Sequence, residues 1–223
     1  VVATTRAAVL TTAVSAYERK DAAYRRAKQE GYRSRAAYKL EELDRRFKLL
    51  ARGGRVVDLG CWPGGWLQVA ARRVGPTGRV VGVDVKSAEP VAASHVVIVT
   101  GDLRDDAIVE GVRTALGGPA DVVLSDLAPK LSGIRHTDAA RHADLVRLAI
   151  ARSQQWLSSD GILLVKLFMD AEYEGLIAEL RERFETVRSC KPGATRRGSA
   201  ELYAIARRPS DGKEPGATEP SET

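Results

Sequence analysis

The feature that most restricts the fold of this chain is an alternation beginning at Arg55. Short β-branched runs at 55–60, 79–85, 95–102, 120–126 and 161–168 are separated by longer segments with helical spacing, at about 64–74, 105–116, 138–157 and 171–184. Most of the runs are apolar at consecutive positions instead of alternating ones. Such runs suit strands covered on both faces, as in a parallel sheet between two layers of helices. The expected fold class is therefore α/β, a Rossmann-like doubly wound sheet. Two further runs, 186–191 and 201–207, have no long helix between them, so they are expected to finish the sheet as an antiparallel pair.

At 223 residues the chain has room for one such domain with short extensions. The catalytic domain is expected over 53–208, preceded by a basic arm at 21–52 and a frayed helical extension at 1–20. A Pro, Gly, Ser and Glu rich tail at 209–223 has hardly any apolar side chain to bury and is expected to be disordered. No uninterrupted apolar run is long enough to cross a bilayer. Cys61 and Cys190 are the only cysteines and lie far apart, which suits neither a disulfide framework nor a paired-cysteine metal site. A reducing cytoplasm and a monomeric protein are the expectation.

The net charge of +6 is unevenly distributed. Residues 1–52 carry 13 Lys and Arg against 6 Asp and Glu, whereas residues 53–206 carry 19 of each. A basic arm on a neutral body suits a polyanionic substrate, because each phosphate contact releases counterions. A solvated basic helix would have the same composition.

The first run leads into Asp58-Leu-Gly60-Cys61-Trp62-Pro63-Gly64-Gly65-Trp66, a glycine-rich passage from strand to helix. There a polar ligand can approach the backbone and meet a helix N-terminus. The second run brings Asp84, at the position that commonly holds ribose hydroxyls in this fold, and the third ends at Gly101-Asp102, where a carboxylate can reach an adenine. A nicotinamide enzyme would share this outline. Its GxGxxG turn is absent, however, since Pro63 interrupts the loop.

Five segments together carry a family resemblance: residues 31–40 (GYRSRAAYKL), 58–66 (DLGCWPGGW), 125–133 (SDLAPKLSG), Val165-Lys166, and 196–203 (RRGSAELY). On them the chain resembles the FtsJ/RrmJ family of ribosomal RNA large-subunit methyltransferases, from about residue 21 to residue 207. The resemblance implies S-adenosylmethionine as cofactor, held around Gly60, Pro63, Gly64, Gly65, Trp66, Asp84, Asp102, Leu103 and Asp126. It also implies a Lys-Asp-Lys-Glu tetrad at Lys39, Asp126, Lys166 and Glu201. Two places depart from the family pattern. Cys61-Trp62 stands where small residues are usual, and Met169-Asp170-Ala171 follows Lys166 where a glycine-containing turn is typical.

Chemistry supplies its own reasons for such a tetrad. A ribose 2′-hydroxyl is a weak acid, so its attack on a sulfonium methyl needs the proton drawn away and the oxygen held in line. Lys166, near the end of a central run, is the candidate for that task. An ordinary lysine is protonated at neutral pH; burial or a second cation such as Lys39 favours the free amine, while Asp126 and Glu201 favour the ammonium. Proton acceptor and electrostatic stabiliser of the alkoxide both remain open at this point. Asp126 and Lys166 end neighbouring central runs, where charged groups are costly unless used. Arg33, Arg35, Arg196 and Arg197 flank the tetrad in sequence and are candidates for RNA phosphates. Tyr32 or Tyr38 would stack on a base or anchor the core. His136 and His142 are six residues apart, a poor spacing for one metal-binding helix face, and no metal is expected.

The resemblance implies 2′-O-methylation of a uridine of 23S ribosomal RNA in the large subunit. The same chemistry on transfer RNA, and a non-catalytic RNA-binding protein that kept the fold, are the alternatives. The latter predicts a missing tetrad residue or a blocked cofactor loop, and Trp62 is the one residue that could block it.

Overall fold

The computed structural model describes residues 22–195 and 198–209. The expectations for the extension at 1–20, for Arg196 and Arg197, and for the tail beyond Pro209 lie outside the described residues. In chain order the elements are α1 (Ala22–Gln29), α2 (Ala36–Phe47), β1 (Arg55–Leu59), α3 (Gly65–Val74), β2 (Arg79–Asp84), β3 (Val96–Thr100), α4 (Asp106–Leu116), β4 (Ala120–Ser125), α5 (Arg135–Trp156), β5 (Leu157–Phe168), α6 (Tyr173–Arg183), β6 (Phe184–Cys190) and β7 (Glu201–Pro209). The strands form one sheet in the order β3-β2-β1-β4-β5-β7-β6. The first five are parallel, and β7 runs antiparallel to both its neighbours.

Strand periodicity divides the core into two layers. Val57, Leu59, Val123, Leu163, Val165 and Leu167 face a cluster filled by α4, α5 and α6. Val56, Val122, Leu124, Leu164, Tyr203 and Ile205 face the cluster filled by α2 and α3. Helix α2 belongs wholly to this second layer. Leu40 and Leu43 are fully buried on it, so a segment expected as a basic arm shares a core with the domain that follows.

The terminal pair is antiparallel, with β7 inside and β6 at the edge. Burial explains that order, because Leu202 through Ala206 are buried on both faces while β6 buries only its end residues, Phe184 and Cys190. Strand β5 starts four residues before the expected 161. Its register slips between the Ala120–Leu157 and Val122–Ile162 pairs. Gly161 sits in this irregularity, where a Cβ would lie 2.8 Å from Ser158 O and 2.9 Å from Leu157 Cβ. Among the described residues no helix is long and apolar enough to cross a membrane.

Candidate active site

The carboxyl ends of β1, β2 and β4 and the loop after β3 open into one cleft of about 810 Å³. Gly60, Asp84, Asp102, Leu103 and Asp126 line it, together with Leu127, Leu145 and Leu148. Each of the first two acids is set by nearby backbone. Asp84 accepts from Lys86 N (2.8 Å) and Trp62 N (3.0 Å), and Asp102 accepts from Arg104 N (2.9 Å). The Lys86 and Arg104 contacts are side chains turned back on the following residues, as short acidic side chains do in loops, while the Trp62 contact ties Asp84 to the loop after β1. Gly60 has φ of +78° and a Cβ there would come 2.9 Å from Leu127 Cδ2, so both conformation and space require glycine.

Pro63, Gly64, Gly65 and Trp66 do not line this cleft. The two glycines let the chain before α2 approach α3: a Cβ on Gly64 would lie 2.7 Å from Arg33 Nη1, and one on Gly65 would collide with Ser34 Oγ. Trp66 is buried, donates from Nε1 to Ala36 O (2.8 Å), and lies beneath the Tyr203 ring at 5.8 Å. Trp62 stands at the mouth of the cleft, half exposed, with Lys86 Nζ 4.5 Å from its ring centre. It rims the cleft and leaves it open.

Beside the cleft, the four tetrad residues meet on the α2 face of the sheet. Lys166 is buried on β5, and its Nζ donates to Asp126 O and Asp126 Oδ1, both at 2.8 Å. Lys39, buried on α2, pairs with Glu201 Oε1 at the start of β7. A fifth group, Tyr203, joins the pairs. The Lys166–Tyr203 register places its hydroxyl 3.0 Å from Asp126 Oδ1 and 3.2 Å from Glu201 Oε1. The hydroxyl has one proton for two acceptors in reach, and burial, followed by the charges of Asp126 and Glu201, holds the phenol well above its usual range. Tyr203 was recognisable from its place two residues after Glu201, hence on the same strand face.

Two buried groups support the site from within. Asp58 on β1 has no hydrogen-bond partner for either oxygen among the described residues, and burial, then Asp126 and Asp84, raise its pKa well above the carboxylate range. His142 on α5 packs its ring 4.6 Å from Phe168. Burial, and next the Lys166 charge, push its pKa down to about 4. Among the described residues no group of three or more His, Cys, Asp or Glu is arranged to hold a metal ion.

The N-terminal segment is stitched to this frame. Arg33 donates to Glu89 O and, at 2.6 Å, to Pro90 O, so its guanidinium is engaged by backbone carbonyls. Arg35 lines a surface cleft with Arg26, Tyr38, Arg45 and Ala194. Tyr32 and Tyr38 meet edge to face at 5.6 Å and donate to Glu41 (2.6 Å) and Glu30 (2.9 Å) respectively, fixing α1 against α2.

The FtsJ-like methyltransferase family matches this chain over residues 32–209, a span that contains every element of the cleft and the tetrad. The chain belongs to that family. FtsJ-like relatives named "Ribosomal RNA large subunit methyltransferase E" include one from Methanothrix thermoacetophila, 45% identical over 86% of this chain and 74% of the relative. Another, from Acidithiobacillus ferrooxidans, is 46% identical over 84% of each chain. A crystal structure described as a ribosomal RNA methyltransferase from Plasmodium falciparum superposes with a TM-score of 0.69 at 28% identity, covering 79% of this chain and 98% of that one. Aeropyrum pernix fibrillarin, solved with S-adenosylmethionine bound, shares the fold at a TM-score of 0.50 and 17% identity, over 71% of this chain and 68% of that one.

The cleft fits the cofactor of such an enzyme. S-adenosylmethionine presents a ribose diol, an adenine amino group, an ammonium and a sulfonium, all of which suit carboxylates. Asp84, Asp102 and Asp126 line the cleft among mainly apolar side chains, with Lys86, Arg104 and Lys130 also on its walls. The unpartnered Asp58 carboxyl lies close enough to Asp84 and Asp126 to feel both charges, at the base of the same loop.

Proposed function

We propose that this chain transfers the methyl group of S-adenosylmethionine to a ribose 2′-hydroxyl of ribosomal RNA in the large ribosomal subunit, with a uridine as the target nucleotide. The observation that carries the reading is the double contact from Lys166 Nζ to Asp126, because Asp126 also lines the cofactor cleft. A nucleophile held at Lys166 is therefore adjacent to the bound methyl donor.

The residues have separate tasks in this scheme. Asp84 accepts the ribose hydroxyls and Asp102 the adenine amine, while Leu103, Leu127, Leu145 and Leu148 enclose the apolar faces of the cofactor. S-adenosylmethionine supplies a methyl carbon made electrophilic by its sulfonium. Lys166 is held by two N–H bonds to Asp126, and in the form of the enzyme that carries out transfer its amine is the group that takes the 2′-hydroxyl proton. As the 2′-oxygen bonds to the methyl carbon, the carbon–sulfur bond breaks and the hydroxyl proton passes to Nζ. S-adenosylhomocysteine and a 2′-O-methyl ribose are the products. Lys39, held by Glu201, places a second positive charge beside the developing alkoxide. Arg35, Arg196 and Arg197 are assigned to RNA phosphates; Arg33, engaged by Glu89 O and Pro90 O, braces the segment that carries Arg35. The protein acts as a monomer.

The test is methyl transfer from labelled S-adenosylmethionine to purified large subunits, free ribosomal RNA and transfer RNA. Label on ribosomal RNA that disappears with Lys166→Ala supports the reading. Transfer confined to transfer RNA, or S-adenosylmethionine binding with no transfer to any RNA, contradicts it.

A further inference from the structure

Helix α2 lies along strand β7, and the tetrad occupies only one end of the seam between them. At that end Lys39 meets Glu201; at the other, Arg207 Nη2 donates to Phe47 O at 2.6 Å. There Arg46, Arg188 and Arg207 line a second cavity, of about 250 Å³, together with Thr186, Phe47 and Ile205.

Strand register accounts for the meeting of three guanidinium groups from three elements. Thr186 pairs with Arg207 and Arg188 with Ile205. Residues two apart on a strand share a face, and Ile205 faces the core layer under α2, so all four side chains stand on the α2 side. Strand β6 is the sheet edge, and both Thr186 and Arg188 are exposed. Arg46 completes the group from the last turn of α2, its guanidinium 5.4 Å from the Phe47 ring centre.

These cations are poorly balanced. Among the described residues Glu42 is the one carboxylate paired with the cluster, 3.6 Å from Arg46 Nη1, and its oxygens already accept from Gly193 N (2.9 Å) and Ala194 N (3.1 Å). Glu185 lies on the opposite face of β6 by alternation and pairs with Arg208. Arg188 has no hydrogen-bond or ion-pair partner among the described residues. Three guanidiniums and a hydroxyl around one small slot suit a phosphate, whose oxygens match the planar fork of arginine.

We propose that the Arg46, Arg188 and Arg207 slot is a phosphodiester-binding subsite that grips the substrate RNA at a distance from the methylated nucleotide. The inference rests on the reading of RNA as substrate. Six strand residues separate Glu201 from Arg207, about 20 Å at the usual rise, and seven helix residues separate Lys39 from Arg46, about 10 Å. A strand of RNA entering at the tetrad and following the seam reaches the slot a few nucleotides away. The surface cleft that Arg26, Arg35 and Arg45 line together with Glu41 and Glu42 is of mixed charge, so the slot is set apart by the excess of cations around it. A free phosphate ion would use the same groups but gain nothing from this alignment.

The experiment measures binding of large subunits and of free ribosomal RNA by the full chain across a salt series, for Arg188→Ala, Arg188→Glu and Arg46→Ala. Arg113→Ala, on α4 in the opposite helix layer, is the control for net charge. Arg188→Ala is expected to weaken RNA binding about fivefold and to reduce the slope of log affinity against log salt by about 0.7 to 0.9, the value of one phosphate contact. Arg188→Glu should weaken it further, Arg46→Ala should act in the same direction, and S-adenosylmethionine affinity should stay unchanged in all of them. Should the β6 variants fail to fold, Arg46→Ala on the helix still decides the matter. Wild-type affinity and slope in the variants would overturn the subsite while leaving the proposed function standing. An equal loss in Arg113→Ala would overturn it too, by assigning the effect to overall charge. A wild-type chain that neither binds nor methylates ribosomal RNA removes both readings together.

Discussion

The two halves of the active site are built in opposite ways. On the cofactor side, Asp84 and Asp102 each accept from the backbone N–H two residues further along the chain, and the longest reach is the 22 residues from Trp62 N to Asp84. On the acceptor side, Lys166 reaches Asp126 across 40 residues, Tyr203 reaches Asp126 across 77, and Lys39 reaches Glu201 across 162. Exposure follows the same division, since the Asp102 side chain is 49% accessible and that of Lys166 only 7%. The cofactor half can therefore form wherever its loops form, while the acceptor half exists only when α2, β4, β5 and β7 are assembled. Substitutions on the cofactor side should act on binding of the donor. Those on the acceptor side should act on the transfer step and on the fold.

The largest expected effect is at the nitrogen proposed to take the proton. Lys166→Met should lower the single-turnover transfer rate about 10²- to 10⁴-fold, the usual worth of a positioned general base, with donor affinity within about twofold of wild type. Titration calorimetry beside rapid-quench kinetics separates the two quantities. A parallel loss of donor affinity would erase the division between the halves.

Next in size is a pH effect from behind the acceptor side. His142 is buried and its pKa falls from 6.5 to about 4 on folding, so between those values the unfolded chain binds the extra proton. Its contribution is complete above about pH 6.5 and is lost as the pH falls toward 4, a change of about 3 kcal/mol. Denaturant melts at pH 7 and pH 4.5 should show His142→Leu losing less stability on acidification than wild type. Equal slopes would show that the imidazole is not held neutral by the fold.

Asp84→Ala sharpens the contrast from the other side. Losing a charged acceptor should raise the donor dissociation constant about tenfold or more, with little change in melting temperature because the side chain is only partly buried, at the end of β2. A large loss of stability would mean that the cofactor half is as interdependent as the tetrad. Tyr203→Phe should have the smallest effect, about 1 kcal/mol of transition-state stabilisation, because it removes one shared proton and keeps both ion pairs. Since the phenol is held well above its usual range, the pH–rate profile of this variant below pH 9 should have the wild-type shape. A lost basic limb would assign Tyr203 a proton-transfer role instead.

The same division explains what could be read from the sequence. Asp84, Asp102 and Gly60 were legible because each ends or follows an apolar run, and the local turn that orients it lies within the same few residues. The strands through β5 and their place in a doubly wound sheet were legible for the same reason, each run being long and apolar enough to be buried on both faces. The position of β7 between β5 and β6 depends on a pairing between chain segments some 40 residues apart, and Tyr203 could not be placed beside Lys166 without it. Gly64, Gly65 and Trp66 share a motif with Gly60 yet pack against residues 33–36, a contact no spacing within the loop announces. The basic charge of residues 1–52 was correctly located, but composition alone could not show that Leu40 and Leu43 bury α2 in the core while Lys39 turns inward to Glu201.

The central claim is that the lysine-aspartate pair beside the cleft delivers the methyl group to a ribose oxygen. It is tested most directly by digesting the labelled RNA product in alkali, since a 2′-O-methyl group blocks cleavage of the following phosphodiester. The account predicts that the label from wild-type enzyme is recovered in alkali-resistant dinucleotides and that Lys166→Met yields none. Label recovered in mononucleotides, marking a base methyl group, would contradict it.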